Sequence, residues 1–181
     1  MKTKLRQKYK YLRRSLPQEM CTKFSKSICD TILKQFSLEK KNVSTFYPIT
    51  QFSEVDTRHL LSLPNIDYYL PVMTGNTLKH IKYESEAQLK VNHWGIPEPE
   101  YGVEIDASQF DFIIIPLLAY DQFGNRVGYG KGFYDGFLQN CSKNCIFIGV
   151  SYFEPEETKI ETIDTDIALH YCITPKNIHQ F

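Results

Sequence analysis

A glycine-spaced basic loop that follows a long apolar run constrains this chain more than any other feature. Residues 112–120 read FIIIPLLAY, the continuous apolar pattern of a buried strand. Residues 125–135 read NRVGYGKGFYD, with glycine at three alternate positions, and Gly136-Phe137-Leu138 can open a helix directly behind them. The order predicts a buried strand, a tight loop and a helix N-terminus.

The composition of this loop suits a phosphate-bearing ligand. The start of a helix offers free backbone N–H groups that attract phosphate, and glycines let the backbone approach a ligand closely. Arg126 and Lys131 add positive charge, and Asp135 is placed to hold a metal ion that bridges phosphates. The loop indicates a nucleotide-using enzyme. The alternative is a surface turn whose glycines only satisfy backbone geometry.

The loop belongs to neither of the two common nucleotide-binding motifs. In the phosphate loop of NTPases, glycine stands where this chain has Asn125, and Ser or Thr follows the lysine where this chain has Gly132. In the dinucleotide fingerprint, glycine stands at the position of Phe133. The spacing is therefore a different motif.

The N-terminus is strongly basic although the whole chain carries no net charge. The first fourteen residues contain no acid and seven basic residues, namely Lys2, Lys4, Arg6, Lys8, Lys10, Arg13 and Arg14. Most of them are interpreted as a solvated helix face; the alternative is that one or two fold back onto an anionic ligand. With 21 basic and 21 acidic residues, no global field favours nucleic acid or membrane.

The remaining composition predicts a cytoplasmic protein. No apolar stretch follows the N-terminal charges as in a secretory signal, and no window is long enough to span a membrane. The five cysteines lack the spacing of a zinc site and are expected to be reduced thiols.

Alternating strand and helix patterns predict one α/β domain over residues 1–181. Helices are predicted at 2–14, from Pro17 to about Phe36 and near 133–140, and residues 54–61 are interpreted as a loop that enters a short helix. Strands are predicted at 43–48, 68–72, 78–83, 112–118 and 146–152, with a last short strand that ends at 173–174. Residues 92–99 contain too many breakers for regular structure. The expected architecture is a mainly parallel sheet with helices on both faces, a Rossmann-like three-layer fold. Ligands of such sheets bind beyond the carboxyl ends of the strands, where the glycine loop is expected.

Three distant segments make the glycine loop more specific. They are the N-terminal Lys2 with Leu5-Arg6, the segment Glu54-Val55-Asp56-Thr57, and the segment Trp94-Gly95-Ile96-Pro97-Glu98-Pro99. Together with residues 126–135, and in this order, they resemble the 5-formyltetrahydrofolate cyclo-ligase family, also called methenyltetrahydrofolate synthetases. The resemblance covers nearly the whole chain.

The resemblance implies a cytosolic enzyme that uses ATP and Mg²⁺. Such an enzyme closes 5-formyltetrahydrofolate to 5,10-methenyltetrahydrofolate and releases ADP and phosphate: ATP phosphorylates the formyl oxygen, folate N10 attacks the activated carbon, and phosphate departs. A monomer with a small-molecule substrate and no nucleic-acid or membrane partner is expected. One alternative is a non-catalytic relative that binds formylfolate; another, based only on the basic N-terminus, is a nucleic-acid binder.

The resemblance also assigns residues by position. ATP contacts are implied for Lys2, Arg6, Arg126, Gly128, Tyr129, Gly130, Lys131, Gly132, Phe133 and Tyr134, with Arg126 and Lys131 as the catalytic charge clamps. Substrate contacts are implied for Glu54, Trp94, Tyr129, Lys131 and Phe133, and metal ligation for Asp135 and Asp166.

Several of these residues have a plainer alternative role. Asp135 and Glu54 are residue types that also cap helices, and Trp94 is a residue type that often belongs to a core. Asp164 lies two residues before Asp166 and is a second candidate for the metal.

Two positions depart from the family pattern near the second metal ligand. Thr165 stands where the family usually has His, and His170 stands where it often has Asp. His170 is expected to lie outside the coordination shell of the metal.

Overall fold

The computed structural model describes residues 1–181 in full. The helices are α1 (Lys2–Ser15), α2 (Gln18–Gln35), α3 (Arg58–Leu61) and α4 (Phe133–Leu138). The strands are β1 (Asn42–Ser44), β2 (Asp67–Thr74), β3 (Thr77–Lys82), β4 (Leu89–Val91), β5 (Pro97–Pro99), β6 (Glu104–Ile105), β7 (Phe112–Pro116), β8 (Ala119–Tyr120), β9 (Arg126–Val127), β10 (Ile146–Val150), β11 (Tyr171–Ile173) and β12 (Ile178–Gln180). None of the helices combines the length and the apolar composition that crossing a membrane requires.

One eight-stranded sheet organises the fold in the order β12-β11-β10-β7-β1-β2-β3-β6. The five strands from β11 to β2 are parallel, while β12, β3 and β6 pair antiparallel at the edges. The prediction of a mainly parallel α/β sheet is confirmed. The edge strands β6 and β12 were not predicted, because two or three residues give too short a pattern to detect.

The sheet is covered on both faces, as predicted. Alternate residues of β7 point to opposite sides: Ile114 joins the core beneath α2, while Ile113 and Ile115 join the core with Phe137 and Leu138 of α4. All three isoleucines are fully buried, and each contributes roughly 1.5–3 kcal/mol through burial alone. The unbroken apolar run at 112–115 is thus explained by a central strand with two buried faces.

Helix α1 lies over the carboxyl end of the central strand instead of on a face of the sheet. Tyr9 packs in a small separate core with Leu118, Ala119 and Val127, which come just after β7 and in β9. Ligands of parallel α/β sheets bind at this edge. The basic N-terminal helix is therefore placed beside the glycine loop.

The path from β7 to the glycine loop differs from the prediction. Strand β7 ends at Pro116 instead of residue 118, and the hairpin β8–β9 intervenes. The buried Asp121 holds its turn, since the carboxylate accepts hydrogen bonds from the backbone of Phe123 and from the backbone and side chain of Asn125 at 2.8–3.0 Å. Ile160 N–H adds a further bond of 2.7 Å. Four donors satisfy this buried carboxylate. The hairpin turn that precedes the glycine loop is therefore held in place by hydrogen bonds.

The prediction that residues 92–99 lack regular structure is wrong at 97–99. Pro97 and Pro99 belong to β5, which pairs only with β4 in a two-stranded ribbon. Proline is compatible with such an edge position because its missing N–H is not needed there. The intervening turn carries Trp94.

Candidate active site

The glycine loop is closed against α1 by Arg6. Its Nε donates a 3.0 Å hydrogen bond to the carbonyl oxygen of Gly128. Gly130 has φ +97°, in the region that favours glycine, and a Cβ there would lie 3.1 Å from the Arg6 guanidinium carbon. A Cβ on Gly128 or Gly132 would meet no protein atom within 4 Å. Gly130 is thus favoured by its positive φ and lies in close contact with Arg6, whereas the space beside the other two glycines is open.

Arg126 and Asp135 form an ion pair at the end of the loop. Arg126 Nη2 lies 2.6 Å from Asp135 Oδ1, and the same oxygen accepts from Ile167 N–H at 3.2 Å. The Arg126 side chain is only 6% exposed. Burial lowers the pKa of Arg126, while Asp135 and Asp166 act in the opposite direction. Both carboxylates therefore lie within electrostatic reach of one buried guanidinium.

Lys2 and Asp166 form a second ion pair beside the first. The Lys2 ammonium donates to Asp166 Oδ2, which also accepts from Ile163 N–H at 2.8 Å. Burial opposes ionisation of Asp166, but Lys2 and the Ile163 N–H outweigh it and lower the pKa of this carboxyl. Asp164 is exposed, and its carboxylate accepts no hydrogen bond from the protein. The structure brings Asp166, and not Asp164, to the loop.

The two carboxylates have the chemistry of a site for a hard cation. All their hydrogen bonds fall on one oxygen of each group, which leaves Asp135 Oδ2 and Asp166 Oδ1 without a protein donor. Mg²⁺ prefers carboxylate oxygens and takes one or two of them together with phosphate oxygens. The helix-cap alternative for Asp135 is wrong, because α4 begins after Gly132 and has no side-chain cap. These residues fit a magnesium ion.

Glu54 is a buried carboxylate with two protein donors. Tyr129 Oη donates to its Oε1 at 2.6 Å, and Ile49 N–H donates to its Oε2 at 2.8 Å. Burial raises the pKa of Glu54, whereas both hydrogen bonds and the charge of Arg13 oppose that rise. The capping alternative is wrong for Glu54 too, since the N-cap of α3 is Thr57 and no side chain caps that helix.

Arg13 is a site residue that the sequence interpretation missed. Its side chain is fully buried, so the solvated-face interpretation is wrong at this position. Nη1 donates to Tyr129 Oη at 3.0 Å, and Nη2 donates to the carbonyl of Leu117. A signal was present in the spacing: Arg13 lies four residues after Tyr9, on the face of α1 that is buried.

Two aromatic contacts join neighbouring segments to the loop. Lys131 Nζ lies 5.0 Å from the ring centroid of Trp94, a cation–π contact. Trp94 is 52% exposed, so the core alternative is wrong. Phe52 stacks on Tyr129 with ring centroids 5.6 Å apart, and nothing in the sequence pattern had singled it out. The structure therefore brings both Trp94 and Glu54 to the loop.

The first turn of α4 holds the last two loop residues. Phe133 opens the helix, and the hydroxyl of Tyr134 is buried without a hydrogen-bond partner. Arg126 Nη1 is likewise buried and unpartnered. Unpaired buried polar atoms are rare and often belong to functional sites. Helix α4 has six residues instead of the expected eight.

His170 lies apart from these groups. Its Nδ1 accepts from Phe147 N–H at 2.9 Å, and its ring stacks on Phe147 at 4.9 Å. Phe147 is near the start of β10, at the amino end of the parallel strands. His170 is therefore at the sheet edge opposite the loop.

The fold and this constellation define a class: α/β proteins with a basic glycine loop and paired carboxylates at the carboxyl edge of the sheet. Residues 1–163 match the family model described as the 5-formyltetrahydrofolate cyclo-ligase family. The chain belongs to this family, which is a family of ligases.

Individual proteins agree with the family model. The 5-formyltetrahydrofolate cyclo-ligase of Haemophilus influenzae is 31% identical over 140 residues, which are 72% of this chain and 74% of that protein. The NMR structure of 5,10-methenyltetrahydrofolate synthetase from Aquifex aeolicus superposes with a TM-score of 0.84 at 32% identity, covering 99% of this chain and 92% of that one. A 5,10-methenyltetrahydrofolate synthetase from Mycoplasma pneumoniae, at 20% identity and TM-score 0.77, supports the fold; the match covers 96% of this chain and 98% of that one.

Proposed function

We propose that the protein converts 5-formyltetrahydrofolate to 5,10-methenyltetrahydrofolate with ATP and Mg²⁺, releasing ADP and phosphate. The observation that carries the proposal is that one loop contacts two chemically different regions. Tyr129 in the loop donates to the buried Glu54, while Arg126 at its start joins the cluster of charges around Asp135 and Asp166. A folate and a triphosphate would thus meet across residues 126–135.

The reaction depends more on positioning its two reactants relative to each other than on acid–base catalysis. The formyl oxygen is a poor leaving group; phosphoryl transfer from ATP turns it into phosphate, and N10 then displaces that phosphate to close the ring. Phosphoryl transfer is catalysed mainly by positioning and by neutralising charge. The residues of this site supply those two effects.

Positive side chains from two distant segments would hold the triphosphate. Lys2 and Arg6 come from α1, while Arg126 and Lys131 come from the loop. Charge-assisted hydrogen bonds to phosphate oxygens are stronger than neutral ones. The open backbone at Gly128 and Gly132 adds N–H groups without side-chain obstruction.

Glu54 would orient the folate. Each of its oxygens already accepts one protein donor, and a carboxylate oxygen has a second lone pair to offer. The ring nitrogens of a reduced pterin are donors of the matching kind. The exposed ring of Trp94 and the side chain of Phe133 would supply apolar contacts near Lys131.

Asp135 and Asp166 would hold the magnesium ion through their free oxygens. When bound, the ion would neutralise charge on the phosphates. The lysine and arginine partners of these carboxylates would then be available to phosphate oxygens.

The direct test is the absorbance of the methenyl product after mixing protein, Mg²⁺, ATP and 5-formyltetrahydrofolate, with ATP omitted from the control. An ATP-dependent rise is expected. Folate binding in a titration without any rise would favour the non-catalytic relative. The absence of both would overturn the assignment of substrate.

A further inference from the structure

We propose that Arg13 is a positioning residue: by donating to Tyr129 it fixes the direction of the Tyr129–Glu54 hydrogen bond and keeps Glu54 in its ionised, accepting form. The part of this inference that concerns folate rests on the proposed function. The part that concerns Glu54 rests on the geometry of this chain alone.

The direction follows from what each group can donate. Arginine carries only donors, so Tyr129 Oη must accept from Arg13 Nη1 at 3.0 Å. The single hydroxyl hydrogen of Tyr129 is then free to point at Glu54 Oε1, 2.6 Å away. Ile49 N–H occupies the other carboxylate oxygen. The hydrogen bonds from Arg13 to Tyr129, from Tyr129 to Glu54 and from Ile49 to Glu54 are all donated towards Glu54. This arrangement suits the ionised carboxylate form of Glu54, which only accepts.

Burial makes the charge of Arg13 matter. Arg13 is 1% exposed and Glu54 is 6% exposed. Burial of a carboxyl group favours its neutral form, whereas a nearby cation favours the charged form. Burial raises the pKa of Glu54 above its usual value, and the hydrogen bonds from Tyr129 and Ile49 together with the charge of Arg13 oppose that rise; Arg13 is the cation among these groups. Removing Arg13 while keeping Glu54 would leave a buried carboxylate without a counter-charge.

The other titratable groups nearby do not take over this role. Burial raises the pKa of Tyr129, Tyr134 and Cys21, and raises that of Tyr152 to about 12, so these groups stay neutral around pH 7. Of the charged groups, Lys10 lies over the Tyr129 ring, with its Nζ 5.8 Å from the centroid, and makes no hydrogen bond to the hydroxyl.

The position of Arg13 is fixed from the opposite side. Its Nη2 donates to the carbonyl of Leu117, one residue beyond the end of β7. The guanidinium thus links α1, the central strand, the glycine loop and the segment that carries Glu54. A shift of α1 would be transmitted to the folate side of the site.

The test is a ¹³C NMR titration of the glutamate side-chain carboxyls, with Glu54→Gln identifying the signal of Glu54. In Arg13→Met, the midpoint of Glu54 should rise by about one pH unit or more relative to wild type. Arg13→Lys, which keeps the charge, should restore most of that difference. Arg14→Met is the matched control, because Arg14 is the exposed neighbour on the same helix, and it should leave the midpoint unchanged. An unchanged midpoint in Arg13→Met would overturn the proposal.

A second comparison keeps the proposal testable if Arg13→Met does not fold, as judged by thermal unfolding. Arg13→Gln, which removes the charge but keeps an amide donor, is then titrated both with the native Tyr129 and in the Tyr129→Phe background. Because Tyr129 relays the hydrogen bond, the effect on Glu54 should be smaller once the hydroxyl is gone. Equal effects in the two backgrounds would show that Arg13 does not act through Tyr129.

The titration also separates this inference from the proposed function, because it requires no folate. If wild type makes no methenyl product while Arg13→Met still shifts Glu54, the proposed function fails and the positioning role stands. If wild type turns over, Arg13→Met should raise KM for formyltetrahydrofolate roughly tenfold, with a smaller change in kcat. If wild type turns over but Arg13→Met leaves the titration midpoint of Glu54 unchanged, the positioning role is wrong and the proposed function stands.

Discussion

The two sides of the site are built in opposite ways. The buried chain, defined as Arg13, Tyr129 and Glu54, is linked end to end by hydrogen bonds; both of its charged ends are buried and Tyr129 is half-buried. The charged rim, defined as the pairs Lys2–Asp166 and Arg126–Asp135 together with Arg6 and Lys131, is partly open, and each of its carboxylates keeps one oxygen free.

This difference indicates which interactions are permanent and which can be exchanged. Breaking a buried charged pair by removing one partner is costly, so the buried chain acts as fixed framework. The Lys2–Asp166 pair is partly exposed and contributes little to stability. Arg126 is buried, but the carboxylates of both rim pairs are partly exposed, so they can change partners when phosphate and a metal ion arrive. The comparison predicts separable effects on folate and nucleotide.

Lys131→Ala is expected to have the largest effect. Removing this charge should reduce turnover by roughly a hundredfold or more, the scale of losing one transition-state donor. Lys131 is exposed, so thermal unfolding should be unchanged. Steady-state kinetics measures the loss, with Lys34→Ala, an exposed lysine of α2, as control. Near-normal turnover would show that Lys131 does not act on the triphosphate.

Glu54→Gln should weaken folate binding by about thirtyfold, which corresponds to losing one hydrogen bond to a charged acceptor. Binding of ATP should stay within about twofold, because the buried chain does not contact the rim pairs. Calorimetric titration with each ligand separately checks both numbers. Equal losses of affinity for folate and ATP would show that the buried chain and the charged rim do not serve the two ligands separately.

Asp135→Asn should raise the Mg²⁺ concentration for half-maximal activity about tenfold, which is the scale of loss in metal affinity when one residue around a metal ion is changed. The amide keeps an oxygen for the ion but loses its charge. Magnesium dependence of turnover is the measurement, with Asp164→Asn as the matched control because Asp164 is exposed nearby. An unchanged requirement would restrict Asp135 to pairing with Arg126.

A buried polar group without partners provides the smallest and most local test. His80 is fully buried between Phe110 and Phe137, both ring nitrogens lack hydrogen bonds, and burial lowers its pKa from 6.5 to about 3. The unfolded chain therefore takes up a proton between these pKa values while the folded protein does not. Stability is lost as pH falls below the unfolded pKa of 6.5, and the loss continues down to about pH 3.

Between about pH 7 and pH 5.5 this loss amounts to about 1 kcal/mol. His80→Leu should abolish that share of the pH dependence, as measured by urea unfolding at both pH values. A slope identical to that of wild type would show that His80 has the same pKa in the folded and the unfolded protein, so that burial does not keep it neutral.

Contiguous patterns made much of the protein predictable from sequence. The apolar run of β7 identified a strand buried on both faces, and the glycine spacing, read with three distant motifs, identified the family. These features are local or strictly ordered along the chain, so no knowledge of contacts is needed to find them. The positions of Glu54 and Trp94 beside the loop followed only through the resemblance.

The tertiary structure decided the rest because the partners are far apart in sequence. Arg13 and Tyr129 are separated by 116 residues, and Lys2 and Asp166 by 164. A basic residue on α1 is buried or solvated according to what α1 packs against; the spacing of Arg13 from Tyr9 indicates a shared face, but not the segments that this face meets. The choice of Asp166 over Asp164 depends in the same way on where the end of α1 comes to lie. The sequence alone determined the fold class, the loop and the family; folding determined which charges meet, because an ion pair is a property of distance in space.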